Sequence, residues 1–454
     1  MKILLTGATG LVGGQLGVAL TRAGHHITAL TRDGNATKLG FPARVIAWDH
    51  KSILDPRVLS PDKIPFSAVI HLSGEPVAQR WTASSKKRIY DSRVISTKSL
   101  SRSVESLLSA QATWINASAI GFYGVDGPQA ATTEGAPPGT GFLADVCKDW
   151  EAACPTGELR TIKLRLGVIL SHEGGALPKM TLPFHYGFGG PIGDGQQALA
   201  WIHIDDTIAA IMHCLNTPSI RGPINVVAPE CVSNTDFSSA LAKVMGTWSL
   251  LPAPAVALRL LLGEMSSMLT QGVRVKPDTL LASGFQFQYP TVAIALRQLF
   301  PESLPRGARV YTARQWIDGS PEQNFPFFSA AENLERITPP WLHFRITGKS
   351  SETMGSGLLI DYKLRIKGLP VRWRTRIEDW NPPKSFVDTQ LRGPYKIWHH
   401  THNFEPLGGG TLMTDRVIYK MRFWPFGDVA LPMVKQDVKT IFGYRRKVLA
   451  DLKR

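Results

Sequence analysis

The chain has 454 residues, 43% of them hydrophobic and 19% charged, with a formal net charge of +15. That length suits two or three domains, and the composition excludes a disordered, collagenous or disulfide-stapled chain. No apolar run reaches the length of a membrane span: the longest, Ala255 to Leu262, is short and carries Arg259. The first residues read as a strand rather than a signal peptide. Cys147, Cys154, Cys214 and Cys231 lack Cys-x-x-Cys spacing, so they are expected as free thiols in a reducing cytoplasm. From Arg306 onward there are 25 Lys and Arg against 14 Asp and Glu. These charges alternate along candidate strands, as in Lys363, Arg365, Lys367, Arg372, Arg374 and Arg376. Alternation of this kind marks the solvated face of an antiparallel sheet rather than a nucleic-acid site.

Lys2 to Thr6 reads as a short buried strand. Gly7-Ala8-Thr9-Gly10-Leu11-Val12-Gly13 follows at once, and Leu16, Val18, Ala19 and Leu20 then continue at helical spacing. Glycines at this turn let the backbone approach a pyrophosphate, and the helix N-terminus offers free N–H groups and the positive end of a dipole. Gly7, Thr9, Gly10, Leu11, Val12 and Gly13 are therefore candidate dinucleotide contacts, with the Gly7, Gly10, Gly13 spacing of short-chain dehydrogenases. The next strand, His26 to Leu30, leads into Thr31-Arg32, where NAD-binding chains usually place a carboxylate for the adenosine ribose. A guanidinium there suits a 2′-phosphate, so NADP is expected over NAD, with Asp33 the residue that would serve the other case.

A third strand over Arg44 to Trp48 ends at Asp49, a candidate for the adenine amino group. A fourth, Ser67 to Leu72, leads to Ser73-Gly74, small enough to lie beside a nicotinamide ribose. Lys86 to Leu108 is mostly helical and carries Asp91-Ser92-Arg93. A fifth strand, Thr113 to Ala117, leads to Ser118 and on to Tyr123. A sixth spans Arg160 to Leu170. Strands alternating with helices at this pace predict an α/β fold with a doubly wound parallel sheet. Trp201-Ile202-His203-Ile204-Asp205-Asp206 reads as the start of a helix with acids in its first turn. Ser233 caps the next helix after a short strand at Asn225 to Val227.

These residues resemble an extended short-chain dehydrogenase/reductase of the epimerase-like family. The resemblance rests on Thr6-Gly7-Ala8-Thr9-Gly10 with Gly13, His71-Leu72-Ser73-Gly74-Glu75-Pro76, Arg80-Trp81, Asp91-Ser92-Arg93-Val94, Ser118 to Gly124, Gly141-Phe142-Leu143, Asp149-Trp150-Glu151 and Trp201 to Asp206. It covers residues 1 to about 300. Residues 249–297, with Gly263-Glu264-Met265, are similar to that family's small C-terminal segment. It implies a Rossmann fold and further cofactor contacts at Leu72, Ser73, Gly74, Arg93, Ala117 and Arg165. It also exposes a departure. The superfamily's Tyr-x-x-x-Lys pair, which puts a Tyr and a Lys on one helix face, falls on Leu143 and Cys147. Ser118, Tyr123 and Glu75 are the candidates to carry catalysis instead, with Glu75 and Arg93 as a candidate ion pair.

A boundary is expected at residues 301–307. Strands then dominate: 309–317, 342–348, 356–366, 371–380, 384–392, 395–404 and 411–421, with two short helices within 322–337. A closing helix, Pro432 to Leu452, carries Val434, Val438, Ile441, Phe442, Leu449 and Leu452 on one stripe. Residues 308–454 resemble the α+β helix-grip fold of START-like and polyketide-cyclase-like (SRPBCC) proteins, through Asn333-Leu334-Glu335-Arg336, Pro339-Pro340-Trp341, Gly393-Pro394-Tyr395 and Trp398-His399-His400-Thr401-His402. That implies a cavity for a hydrophobic ligand. On a strand His400 and His402 share a face and His399 points away. Hydrogen bonding is expected of them and no metal site. The reading as a whole is an NADP-dependent oxidoreductase or epimerase of residues 1–300 acting on a small molecule, fused to a ligand-binding domain. The alternative is an inactive NADP-binding sensor or scaffold that regulates a partner, for example in cell division. A cytoplasmic location is expected, with no nucleic-acid partner and no membrane span, and the oligomeric state is left open, a homodimer among the options.

Overall fold

The structure, a computed structural model, describes residues 1–124, 132–249, 251–330, 332–422 and 431–451. The chain forms two compact units: Met1–Asn35 with Ala43–Glu302, and Ala36–Pro42 with Ser303–Arg454.

The first unit is built on a seven-stranded parallel sheet. Its strands are β1 (Lys2–Thr6), β2 (His26–Thr31), β3 (Arg44–Ala47), β4 (Phe66–His71), β5 (Leu108–Ala119), β6 (Arg160–Leu166) and an edge strand Gly222–Val226. Across the sheet they run Gly222–Val226, β6, β5, β4, β1, β2, β3. The order reverses beside β1, so a crevice opens where the chain leaves β1 and β4, the usual ligand position in such sheets. Ile3, Leu4 and Leu5 of β1 and Ala68, Val69 and Ile70 of β4 are fully buried. That explains the missing alternation in the sequence: helices cover both faces.

Two expected elements differ. Arg160 to Leu170 is not one strand. It breaks at Gly167, and Val168–Leu170 joins Trp201–His203 in a separate two-stranded sheet. At Gly167 a Cβ would stand 2.8 Å from Val227 and 2.9 Å from the Ala200 carbonyl oxygen. The backbone is pressed between two neighbours there and passes from one to the other. Trp201–His203 is consequently a strand, and the helix begins at Ile204. His203 is its N-cap, its ring Nδ1 accepting from Asp205 N–H at 3.1 Å. The expected helix before β5 is present as Ala83–Tyr90 and Ser96–Val104, joined by a π-helical turn at Asp91–Ile95.

The second unit is a seven-stranded antiparallel sheet in the order Arg309–Asp318, Gly410–Met421, Tyr395–Leu407, Ser385–Arg392, Leu369–Asn381, Leu359–Ile366, Arg345–Lys349. Two short helices, Pro321–Ser329 and Asn333–Ile337, follow its first strand. Helix Leu431–Asp451 lays Val434, Val438 and Phe442 on Tyr311, Ala313, Tyr395, Val417 and Tyr419. Leu449 packs with Phe325, Phe328 and Phe404. Ile441 is half-buried, and Leu452 lies outside the described residues. Burying Phe442 alone is worth about 1.5–3 kcal/mol. This arrangement is a helix-grip fold. Lys363, Arg365, Lys367, Arg372, Arg374 and Arg376 are all exposed, so the basic alternation is the outer face of the sheet.

Candidate functional site

The turn after β1 has the shape of a cradle. Gly7 has φ +70°, and a Cβ on it would lie 2.8 Å from the Leu72 carbonyl group. A Cβ on Gly13 would lie 2.2 Å from the Gly7 carbonyl oxygen. Only glycine fits either position. Gly10 caps helix Leu11–Arg22 without any side-chain hydrogen bond, so the first-turn N–H groups face out of the turn unclaimed by a cap. Thr6 fixes the neighbouring strand end: its Oγ1 accepts from Leu72 N–H at 3.1 Å and Ser73 N–H at 3.3 Å, and it sits 2.7 Å from His71 Nδ1. Burial pushes the His71 imidazole down to about 3, so it stays a neutral hydrogen-bonding group.

Two buried hydroxyls around this crevice, Thr31 Oγ1 and Ser73 Oγ, have no hydrogen-bond partner among the described residues. Buried polar atoms are rarely left unpaired. Together with the glycine cradle they fit a dinucleotide along the strand ends. Arg32 is exposed at the end of β2. Asp33 is engaged locally, accepting from Asn35 N–H at 3.2 Å. Asp49 is likewise taken up by its own turn, accepting from Ser52 N–H at 2.8 Å and Lys51 N–H at 2.9 Å. Those bonds hold its carboxyl down to about 2.

On the other side of the crevice Arg93 lies on the π-helical turn. Its guanidinium covers Gly74, where a Cβ would meet Nη2 at 3.1 Å. It donates to the carbonyls of Glu75 at 3.0 Å and Ile89 at 3.2 Å. The expected Glu75–Arg93 ion pair is therefore replaced by a bond to the Glu75 backbone. The Glu75 carboxylate instead accepts from Gln79 at 3.3 Å and meets Arg88 at 3.5 Å. The π turn explains this: its extra residue turns Arg93 inward against Gly74.

Ala117 and Ser118 lie near the end of β5, in the interior. Ser118 Oγ donates to Glu151 Oε1 at 2.7 Å. Arg165 clamps the same carboxylate with Nε at 2.8 Å and Nη2 at 2.9 Å. Its Nη1 donates to Tyr123 Oη at 2.9 Å, and Tyr123 donates to Asn225 Oδ1 at 2.6 Å. The Phe122 ring stacks 3.5 Å from the guanidinium. Ser118 and Tyr123 are 2% and 4% exposed, so both hydroxyls are committed inside a closed network. Burial also raises the Tyr123 hydroxyl above its ordinary value. Leu143 and Cys147 stand beside Gly121, 3.6 Å and 3.9 Å from a Cβ placed there. Cys147 is buried and its thiol is pushed up to about 12 by desolvation. Sequence reasoning singled out Arg165, Ser118 and Tyr123 but gave no role to Glu151 or Asn225. No spacing signals them, because Tyr123 and Asn225 are 102 residues apart.

No helix among the described residues is long and apolar enough to cross a membrane. The NAD dependent epimerase/dehydratase family model matches residues 3–227. A domain of unknown function matches 253–299, and the polyketide cyclase / dehydrase and lipid transport model matches 317–441. An epimerase family protein of Staphylococcus aureus is 37% identical over 312 residues, 66% of this chain and 99% of its own length. The epimerase family protein YfhF of Bacillus subtilis is 35% identical over 306 residues, again 66% and 99%. Among solved structures, human epimerase family protein SDR39U1, determined with NADPH, aligns with TM-score 0.59 at 29% identity. That alignment covers 66% of this chain and 100% of the human one. The chain thus belongs to the epimerase family proteins, with residues 3–227 matching the NAD dependent epimerase/dehydratase model and residues 317–441 a polyketide-cyclase-like one.

Proposed function

We propose that residues 1–300 bind NADPH in preference to NADH and carry out oxidoreduction or epimerisation of a small-molecule substrate, and that residues 308–454, past a linker at 301–307, hold a hydrophobic ligand. The observation that carries the cofactor reading is the glycine cradle between β1 and its helix, followed by Arg32 at the end of β2 with Asp33 and Asp49 already satisfied in their own turns. Gly7, Thr9, Gly10, Leu11, Val12 and Gly13 would hold the pyrophosphate, and Thr31 and Arg32 the adenosine ribose and its 2′-phosphate. Leu72, Ser73 and Gly74 would border the nicotinamide ribose. Arg93, Ala117 and Arg165 keep that wall in place. A nicotinamide bound there supplies a hydride donor or acceptor.

Proton transfer falls to Glu75. It is half-buried, whereas Ser118 and Tyr123 are sealed inside the Glu151–Arg165 network. Those two hydroxyls act as positioning groups for the strand end that borders the substrate. The second reading, an NADPH-binding sensor without turnover, is favoured by the same sealed network and by Leu143 and Cys147 at the usual Tyr and Lys positions. A fluorescence titration with NADPH and NADH, followed by a panel of carbonyl substrates read by nicotinamide absorbance, separates the two. Oxidation of NADPH that is lost in Glu75→Gln supports the enzyme. Tight NADPH binding without turnover across the panel supports the sensor. Equal binding of both dinucleotides, unchanged in Arg32→Ala, removes the 2′-phosphate assignment.

A further inference from the structure

The second unit holds a polar cluster that neither the cofactor site nor the apolar core explains. Strand pairing sets Asp388 opposite His400 and His402 opposite Asp415. All four side chains point to the face gripped by the long helix. His400 and His402 are 6% and 4% exposed, and Asp415 is 5% exposed. Asp388 Oδ2 lies 3.0 Å from His402 Nε2 and 3.4 Å from His400 Nδ1. One ligand atom from each of Asp388, His400 and His402 falls within 4.8 Å of the other two. A tetrahedral ion held about 2.1 Å from nitrogen or oxygen ligands separates those atoms by about 3.4 Å. The cluster is therefore near the size such an ion requires.

We propose that Asp388, His400 and His402 form a binding site for one zinc-class divalent ion. Four observations bear on it. The two imidazoles sit two residues apart on one strand, so both aim at the same side of the sheet. Each needs its second nitrogen held, the usual support of a metal-bound histidine. For His400 this is done by Asp415, whose Oδ1 lies 3.0 Å from His400 Nε2 and is fixed in turn by Arg445 at 3.2 Å. For His402 it is done by the same carboxylate, since Nδ1 stands 2.8 Å from that same Asp415 oxygen. Finally, two carboxylates face a single guanidinium, Arg445, among the described residues, in a largely apolar surround. Phe386 stacks on His402 at 4.0 Å and Phe442 meets His400 edge-on at 5.5 Å. Two imidazoles with one carboxylate select zinc, cobalt or iron over magnesium or calcium. Three protein ligands leave a fourth position for water or a ligand oxygen, as in zinc centres that do chemistry.

The test uses the full chain, free of any affinity tag and stripped with a chelator. Cobalt(II) is titrated and followed by its visible bands, then displaced with zinc. One equivalent per chain, with the intense spectrum of a tetrahedral site, is the expected result. His402→Gln and Asp388→Asn should weaken binding at least tenfold. Asp415→Asn, which removes only the supporting carboxylate, should weaken it by about 10–100-fold. His399→Gln, on the opposite face of the strand, should leave it unchanged. Circular dichroism checks that each variant is folded. Should His402→Gln fail to fold, Asp415→Asn against His399→Gln decides. A folded wild-type chain that takes up no stoichiometric cobalt overturns the proposal, and so does equal binding by wild type and His402→Gln.

Discussion

The Glu151 carboxylate is the joint of the first unit, and removing its charge should be costly. It is 6% exposed and accepts three hydrogen bonds, two from Arg165 and one from Ser118. Glu151→Gln keeps the shape but leaves the Arg165 guanidinium, 3% exposed, without its counter-charge. Breaking one partner of a buried pair costs about 3–5 kcal/mol. For a unit of this size that corresponds to a loss of roughly 5–15 °C in Tm. Scanning calorimetry of the full chain reads this directly. A Glu151→Met/Arg165→Met double variant should recover part of the loss, because both buried charges are removed together while Ser118 Oγ is left without its acceptor. A single variant within about 0.5 kcal/mol of wild type, or a double variant as unstable as the two singles added together, would refute the account of this network as a closed ion pair.

Gly13→Ala should abolish dinucleotide binding and lower stability, since its Cβ would stand 2.2 Å from the Gly7 carbonyl oxygen; unchanged NADPH affinity by fluorescence would contradict the cradle. Arg32→Ala should weaken NADPH by about 1.5–3 kcal/mol, roughly tenfold or more, through loss of a charge-assisted bond, and leave NADH unaffected in the same titration. His71, ordinarily near 6.5, is held at about 3 in the folded chain by burial. Its contribution is fully present above pH 6.5 and is lost as pH falls from there toward 3, because only the unfolded chain takes the proton. The slope is about 1.4 kcal/mol per pH unit, and urea unfolding of His71→Gln should show a shallower acid loss than wild type. Cys147 and Cys154, both buried with thiols near 12, should resist a thiol reagent at neutral pH until the chain is unfolded; prompt labelling of the native protein would show that the interior opens.

Much of the fold was legible because periodicity and turn chemistry are local. The glycine turn, the buried strands of the parallel sheet and the stripe Val434, Val438, Phe442 all sit where the sequence puts them. The misread at Trp201–His203 has a physical source. Acids at Asp205 and Asp206 suit a first helical turn, but the cap is a histidine, outside the usual capping set, so the helix start lay three residues later than the apolar run suggests. The π turn at Asp91–Ile95 leaves no signature in composition, and it decided where Arg93 points. The network around Glu151 and the cluster around Asp415 join residues on separate elements. The His-x-His spacing was visible in the sequence. Its two aspartates became partners only once register set Asp388 against His400 and Asp415 against His402.

The strand order of the second unit has a kinetic consequence. Among the described residues its first strand, Arg309–Asp318, pairs only with Gly410–Met421, the last to be made. Trp316 Nε1 donates to Leu407 O across 91 residues. Closing a loop of that length costs about 4 kcal/mol of chain entropy by the (3/2)RT ln n relation. The five intervening strands form by neighbour pairing in a low-contact-order meander and can assemble first. Gly410–Met421 is then the clasp, bonded to Tyr395–Leu407 on one side and to the waiting first strand on the other. Mutations at Leu412 or Met413 accordingly disturb two ladders at once.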